Sequence, residues 1–283
     1  MNKKQQTFYT NPDIPEGINT SASHPLATFI KLFSAIAIIL ALSAWLLGKS
    51  GDYLASLIPY SKEVELVSQY DLPASENDSS DMQLYLENLT EHISDAMDLP
   101  DAMEIYPHYI DDNIENAFAT LGGHIFLYKG LLSKLKNENA ISMVIAHEIA
   151  HIKHRDPIRS IGQSAAISTG FFLLLGKSNV NLLGSTGLYT QLKFSRDMET
   201  ASDIEGLSAL VKVYGHASGA IDLFELLRSL SNEDIMKEPT FFVTHPLGDN
   251  RIKQIEAIAK ENNWSMDKAV TPLPNGFSTW LDS

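Results

Sequence analysis

From Leu26 to Leu47 the chain runs for 22 residues with a single charge, Lys31. As a helix rising about 1.5 Å per residue, this run is long enough to cross the roughly 30 Å hydrocarbon core of a bilayer. Lys31 lies near its start, where a long side chain can reach the headgroups, and Trp45 near its end suits an interface. A cleavable signal peptide has a short basic leader. Here a polar leader, residues 1–24, precedes a long apolar run, which favours an uncleaved anchor over residues 25–48.

Charge is distributed unevenly around that run. Lys3, Lys4, Lys31 and Lys49 against Asp13 and Glu16 give residues 1–49 a net of +2, leaving −16 for the remainder of a chain whose total is −14. The positive-inside tendency then places the N-terminus in the cytoplasm. The body falls on the periplasmic or extracytoplasmic side of a single-pass membrane protein. So acidic a body argues against nucleic acid as a partner. With no cysteine in 283 residues, disulfides, thiolate metal sites and cysteine nucleophiles are excluded.

Beyond the anchor, residues 49–80 read as a linker, since their second half is polar, acidic and aperiodic. A body over 81–283 follows. It opens with a helical pattern over 82–97, then short strand-like runs at 103–110, 116–120 and 124–128, the last two separated by Gly122-Gly123. Helical patterns follow at 138–154, 158–175, 195–213, 217–230 and 247–262. Few strands and then many helices indicate an α+β body. The apolar stretch 165–175 is too short and too close to Arg159 and Gln163 for a second span, and reads as a buried or interfacial helix.

The residues that carry chemistry are His147-Glu148-Ile149-Ala150-His151, on the 138–154 helix. Side chains four apart share a helix face, so His147 and His151 can offer two imidazoles to one Zn²⁺. Glu148 sits one step round, placed to act on water rather than on the ion; this is the H-E-x-x-H pattern of zinc peptidases. The pattern also arises by accident, so a third ligand is needed. Without cysteine that ligand must be His, Asp or Glu. On the 195–213 helix Glu199 and Asp203 are four apart. One can bind the metal while the other accepts an N–H from a ligand histidine, or both can form a solvated acidic face.

Together these segments resemble the HtpX-like and CAAX-prenyl-protease family of zinc metallopeptidases. The resemblance rests on His147–His151, on Glu199-Thr200-Ala201-Ser202-Asp203, on the segment 116–132 and on Thr244-His245-Pro246 with Arg251. It implies that 81–283 is a mainly helical zinc metallopeptidase domain with a small β-sheet beside the H-E-x-x-H helix. It assigns one Zn²⁺ per chain to His147, His151 and Glu199, the general base to Glu148, and the orienting carboxylate to Asp203. The family usually has Ala where Ser202 stands. His245 and Arg251 become the candidates to steady the oxyanion, with His245 alternatively a fourth ligand at rest and Arg251 alternatively a structural ion-pair partner.

The resemblance further implies an endopeptidase acting on polypeptides in protein quality control, held to the membrane by one N-terminal helix. Two alternatives stand beside it: a chaperone-like binding protein on the same fold, and a two-span peptidase facing the cytoplasm. If Gly123, His124, Ile125 and Phe126 form an edge strand bordering the cleft, an extended peptide could add to it; Gly122 and Gly123 could equally be only a turn. His154 is read as the polar end of the 138–154 helix, stopped by Asp156-Pro157. The sequence does not say whether a helix or loop blocks the cleft at rest; 173–192, with Gly176, Gly184 and Gly187, is where one would be sought.

Overall fold

A computed structural model describes residues 10–13, 25–69, 72, 80–176, 192, 194–226, 241, 245 and 251–281. Most of 173–192, the end of the helix expected at 217–230, and residues 246–250 lie outside this set. The chain divides into a unit over Met1–Ala44 and a second over Trp45–Ser283. The described helix of the first unit belongs to α1 (Pro25–Ser56). Its apolar side chains are exposed, Phe29, Ile36 and Ile39 among them. Among the described residues α1 alone is long and apolar enough to cross a membrane, with a mean hydropathy of 2.3 in its most apolar stretch.

In the second unit α1 continues to Ser56, and α2 (Tyr60–Val67) comes next, with Glu63 and Val67 buried. Much of the stretch expected as a linker over 49–80 is therefore helical. Local polarity does not reveal this, because the helices are held by packing on the body rather than by their own apolar periodicity. Val67 and the backbone of Val64 close over Gly122, where a side chain would collide with Val67.

The body is organised around α5 (Glu138–Lys153). The Asn137 side chain caps it by accepting the Ala140 N–H at 2.8 Å. Residues 139–152 are all buried, so α5 is a central helix packed on every side. Ile141, Ile145, Ile149 and Ile152 join Met82, Leu86, Leu89 and Ile93 of α3 (Asp81–Ala96) and Ile125 and Leu127 of the sheet in one core.

That sheet has three strands in the order β1–β3–β2: β1 (Tyr106–Ile110), β2 (Ala117–Ala119) and β3 (His124–Tyr128). β1 pairs parallel with β3, Tyr106 opposite His124, and β2 pairs antiparallel with it, Phe118 opposite Phe126. β3 is thus the central strand, which overturns the expectation that Gly123, His124, Ile125 and Phe126 form an exposed edge. Short apolar runs indicate strands but not their order, and β1 occupies the side of β3 that the β2–β3 hairpin leaves open. The hairpin turn needs Gly122 and Gly123, with φ of 72° and 91°.

Short α4 (Lys129–Leu132) leads from the sheet toward α5. After α5, Arg155 takes a left-handed conformation (φ 60°) and α6 (Asp156–Leu175) begins, Pro157 in its first turn. α6 lies on the last turns of α1: a side chain on Gly51 would strike the Gly162 carbonyl, and one on Gly162 would strike Ala55. α7 (Arg196–Tyr214) crosses α5, capped by Ser195 Oγ, which accepts the Met198 N–H. Gly206 allows that approach, since a Cβ there would stand 3.2 Å from the His147 backbone nitrogen. α8 (Arg251–Glu261) packs on α7, and α9 (Phe277–Trp280) closes against α3.

Candidate metal centre

Because α5 and α7 cross at Gly206, the face of α5 that carries His147 and His151 meets the face of α7 that carries Glu199 and Asp203. All four residues are buried. Their donor atoms converge: His147 Nε2 and His151 Nε2 are 3.1 Å apart, and the Glu199 oxygens lie 3.5 Å from each. His245 enters the same space, its Nδ1 3.1 Å from Glu199 Oε1 and 3.3 Å from His147 Nε2. Four ligands about 2.1 Å from a tetrahedral ion would stand about 3.4 Å from one another. His147, His151, Glu199 and His245 could therefore hold one metal ion between them.

Charge and unsatisfied polarity point the same way. The carboxylates of Glu148, Glu199 and Asp203 face one guanidinium, Arg251, all buried. When all are ionised, two negative charges are left over, which a divalent cation would cancel. Burial works against the Glu199 anion, but the imidazoles of His245, His147 and His151 outweigh it and hold its carboxyl well below the usual range. Burial would likewise depress His147, yet Asp203 and Glu199 raise it to about 10. His151 is held far below its ordinary value by burial and by the charge on His147.

Each histidine of the pair has its far nitrogen fixed. Asp203 Oδ1 lies 3.0 Å from His147 Nδ1 as an ion pair. His151 Nδ1 faces Asp156 Oδ2 at 2.9 Å and Ser202 Oγ at 3.1 Å. With an ion bound on Nε2, Nδ1 would carry the proton and Asp156 would accept it. In the sequence Asp156 reads only as a helix stop. The available signal is a carboxylate at the first position of a helix whose chain doubles back beside its predecessor. Phe194 stacks on the His151 ring and Phe241 on the His245 ring, with centroids 4.0 and 4.5 Å apart.

Glu148 lies beside the backbone of Ala119. Neither of its oxygens has a hydrogen-bond partner among the described residues, and Oε1 lies 3.5 Å from His245 Nε2. Burial pushes its carboxyl up. Arg251 is held elsewhere: its Nε and Nη2 each donate to an Asp203 oxygen at 2.7 Å, and Nη1 is 2.9 Å from Glu199 Oε2. The structure therefore gives Arg251 the ion-pair role that the sequence left as its alternative. His154 pairs with Glu205 at 2.9 Å, outside the centre. His124, on β3, meets His108 at 2.8 Å, also outside it.

A buried base beside a cluster of imidazoles and a carboxylate, on crossed helices next to a small sheet, defines a metallopeptidase. The model of peptidase family M48 matches residues 80–259, and the chain belongs to that family. It is 32% identical over 154 residues to the mitochondrial metalloendopeptidase OMA1 of Schizosaccharomyces pombe, covering 53% of this chain and 45% of that protein. It is 28% identical over 191 residues to a putative beta-barrel assembly-enhancing protease of Vibrio cholerae, covering 62% of this chain and 39% of that protein. The chain thus spans less than half the length of either. A protease HtpX homolog of Dictyoglomus turgidum matches more fully, 27% identical over 263 residues, with 80% of this chain and 83% of that protein covered.

Proposed function

We propose that this chain is a membrane-anchored, zinc-dependent endopeptidase that cuts unfolded or misassembled polypeptides in protein quality control. The observation that carries the reading is the set of four donor atoms within 4.8 Å of one another, with the buried carboxylate of Glu148 3.5 Å from His245. Imidazole and carboxylate donors without sulfur, four in number, suit zinc. His147, His151 and Glu199 would hold the ion, with His245 in the fourth position at rest. A bound zinc supplies a Lewis acid that makes water more acidic and polarises a scissile carbonyl.

The proton belongs to Glu148. Its burial makes it a stronger base than a solvated carboxylate, so it can take a proton from water and return it to the leaving amine. His245 is then the remaining candidate to steady the oxyanion, since Arg251 grips two carboxylates. For the substrate, β2 replaces β3 as the strand to which an extended peptide would add. Among the described residues it has a strand partner on one side only, and Ala119 at its end lies beside Glu148.

Anchoring is supported by the length and apolarity of α1. The excess of lysine before the span supports a body on the extracytoplasmic side. Reporters fused at each end would test that side.

The full chain, purified in detergent, should contain about one zinc and cleave casein. A chelator should abolish cleavage and zinc restore it. Glu148→Gln should keep the zinc and lose roughly 10²- to 10⁴-fold in rate. Retention of full cleavage by Glu148→Gln, or a metal-free protein that still cuts, would overturn the reading.

A further inference from the structure

The carboxylate that orients His151 is itself held by a chain of ion pairs that ends on α1. Asp156, buried, turns Oδ2 to His151 Nδ1 and Oδ1 to Arg159, whose Nη1 donates to it at 3.1 Å. The other side of the same guanidinium donates to Asp52: Nε to Oδ1 at 2.7 Å and Nη2 to Oδ2 at 3.3 Å. Asp52 lies in the last turns of α1, where Gly51 and Gly162 let α1 and α6 touch backbone to backbone.

Arg159 is 31% exposed and borders a cavity of about 390 Å³ shared with Lys49, Asp52 and Asp156. A long cationic side chain beside water does not stay in one rotamer by itself; ordering it costs entropy. Asp52 removes that freedom by gripping the far side of the planar fork, which leaves Nη1 aimed at Asp156. Without the grip Arg159 can turn to the cavity, and the Asp156 carboxylate loses the contact that fixes its rotation. His151 has no other charged partner on Nδ1 among the described residues, only Ser202 Oγ.

We propose that Asp52 and Arg159 are positioning residues for His151, so that the seating of the end of α1 against α6 sets how tightly the metal ion is held. The inference rests on the reading of His151 as a metal ligand. A plain staple between two helices would show the same ion pair, so the test must separate metal retention from stability.

The full chain in detergent is loaded with zinc, and release to an excess of a chelating dye is timed for wild type, Asp52→Asn, Arg159→Gln, Arg159→Lys and the Asp52→Asn/Arg159→Gln double variant. Lys212→Gln, which breaks the exposed Lys212–Asp98 pair and shares no residue with the chain of contacts, serves as a control, and the melting temperature of each is measured. Loss of an orienting contact typically weakens metal affinity about 10- to 100-fold. Arg159→Gln should release zinc faster by that order, and Asp52→Asn by several-fold. The double variant should be no faster than Arg159→Gln, because Asp52 acts only through Arg159. Arg159→Lys keeps a charge but not the two-sided fork and should fall between wild type and Arg159→Gln.

Wild-type release rates in variants that melt earlier would reduce the pair to a staple and overturn the inference. So would effects of the two single variants that multiply in the double. A wild-type chain that retains no zinc would instead remove the metal reading itself.

Discussion

Arg251 grips Asp203 at two points, and the same Asp203 oxygen that accepts from Nη2 lies 3.0 Å from His147. The guanidinium therefore acts on the centre through a carboxylate, while its Nη1 steadies Glu199 directly. All these groups are buried, so removing one leaves charge without a partner. Arg251→Ala should destabilise the metal-free protein by about 3–5 kcal/mol. Arg251→Lys should recover charge but not the fork, and so recover only part of that loss. Chemical unfolding of the chelator-treated protein measures both.

His245 stands apart from the other three donors because it lies between Glu199 and Glu148, 3.1 Å from Glu199 Oε1 and 3.5 Å from Glu148 Oε1. A catalytic zinc needs three protein ligands and one open position. His245→Ala should therefore weaken zinc retention and slow cleavage without abolishing it, since His245 would steady the oxyanion, whereas Glu199→Ala should lose both. Zinc content by elemental analysis alongside casein cleavage distinguishes the two. Equal loss in both variants would make His245 an ordinary ligand.

The centre was legible where local spacing encodes it. Two histidines and a glutamate at helical spacing need only a helix to share a face, and Glu199 with Asp203 repeats that logic on α7. The family pattern supplied the pairing of the two helices. What could not be read is whatever depends on contacts between distant segments. Asp156 lies five residues beyond His151, yet it faces His151 because Arg155 adopts φ 60° and turns the chain between α5 and α6. Asp52 and Arg159 are 107 residues apart, one in a stretch that looked like linker. β3 had the composition of a strand but no mark of its central place, since β1 reaches it by a parallel pairing that no turn signal announces.

His124 gives the fold an acid limit independent of the metal. On β3 its Nδ1 lies 2.8 Å from His108 Nε2 on β1, and its ring stacks between those of Tyr106 and His108. Burial, with the His108 charge adding to it, lowers its pKa from 6.5 to about 4. Between those values the unfolded chain binds a proton that the folded chain refuses, so stability rises with pH across this window. The contribution is fully present above about 6.5 and is lost as pH falls toward 4. The melting temperature of the chelator-treated protein should drop between pH 7 and pH 5, and His124→Gln should flatten that drop. An unchanged slope in His124→Gln would assign the acid sensitivity elsewhere.

The contact between α1 and α6 can be probed without touching a charge, because two glycines of α6 face different surroundings. A Cβ on Gly162 would meet the Gly51 carbonyl and the Ala55 Cβ, neither of which can rotate away. A Cβ on Gly170 would meet only the end of the Leu47 side chain, which can. Alanine in place of a helical glycine gains about 1 kcal/mol of helix propensity, whereas overpacking a rigid contact costs about 1–3 kcal/mol. Gly162→Ala should therefore lower stability while Gly170→Ala leaves it unchanged or raises it. By forcing α1 from α6, Gly162→Ala should also draw Asp52 from Arg159 and speed zinc release, which Gly170→Ala should not. Thermal unfolding and dye-monitored release on the two variants check both halves. Equal behaviour of the two glycines would mean that the helices are not held by this close approach.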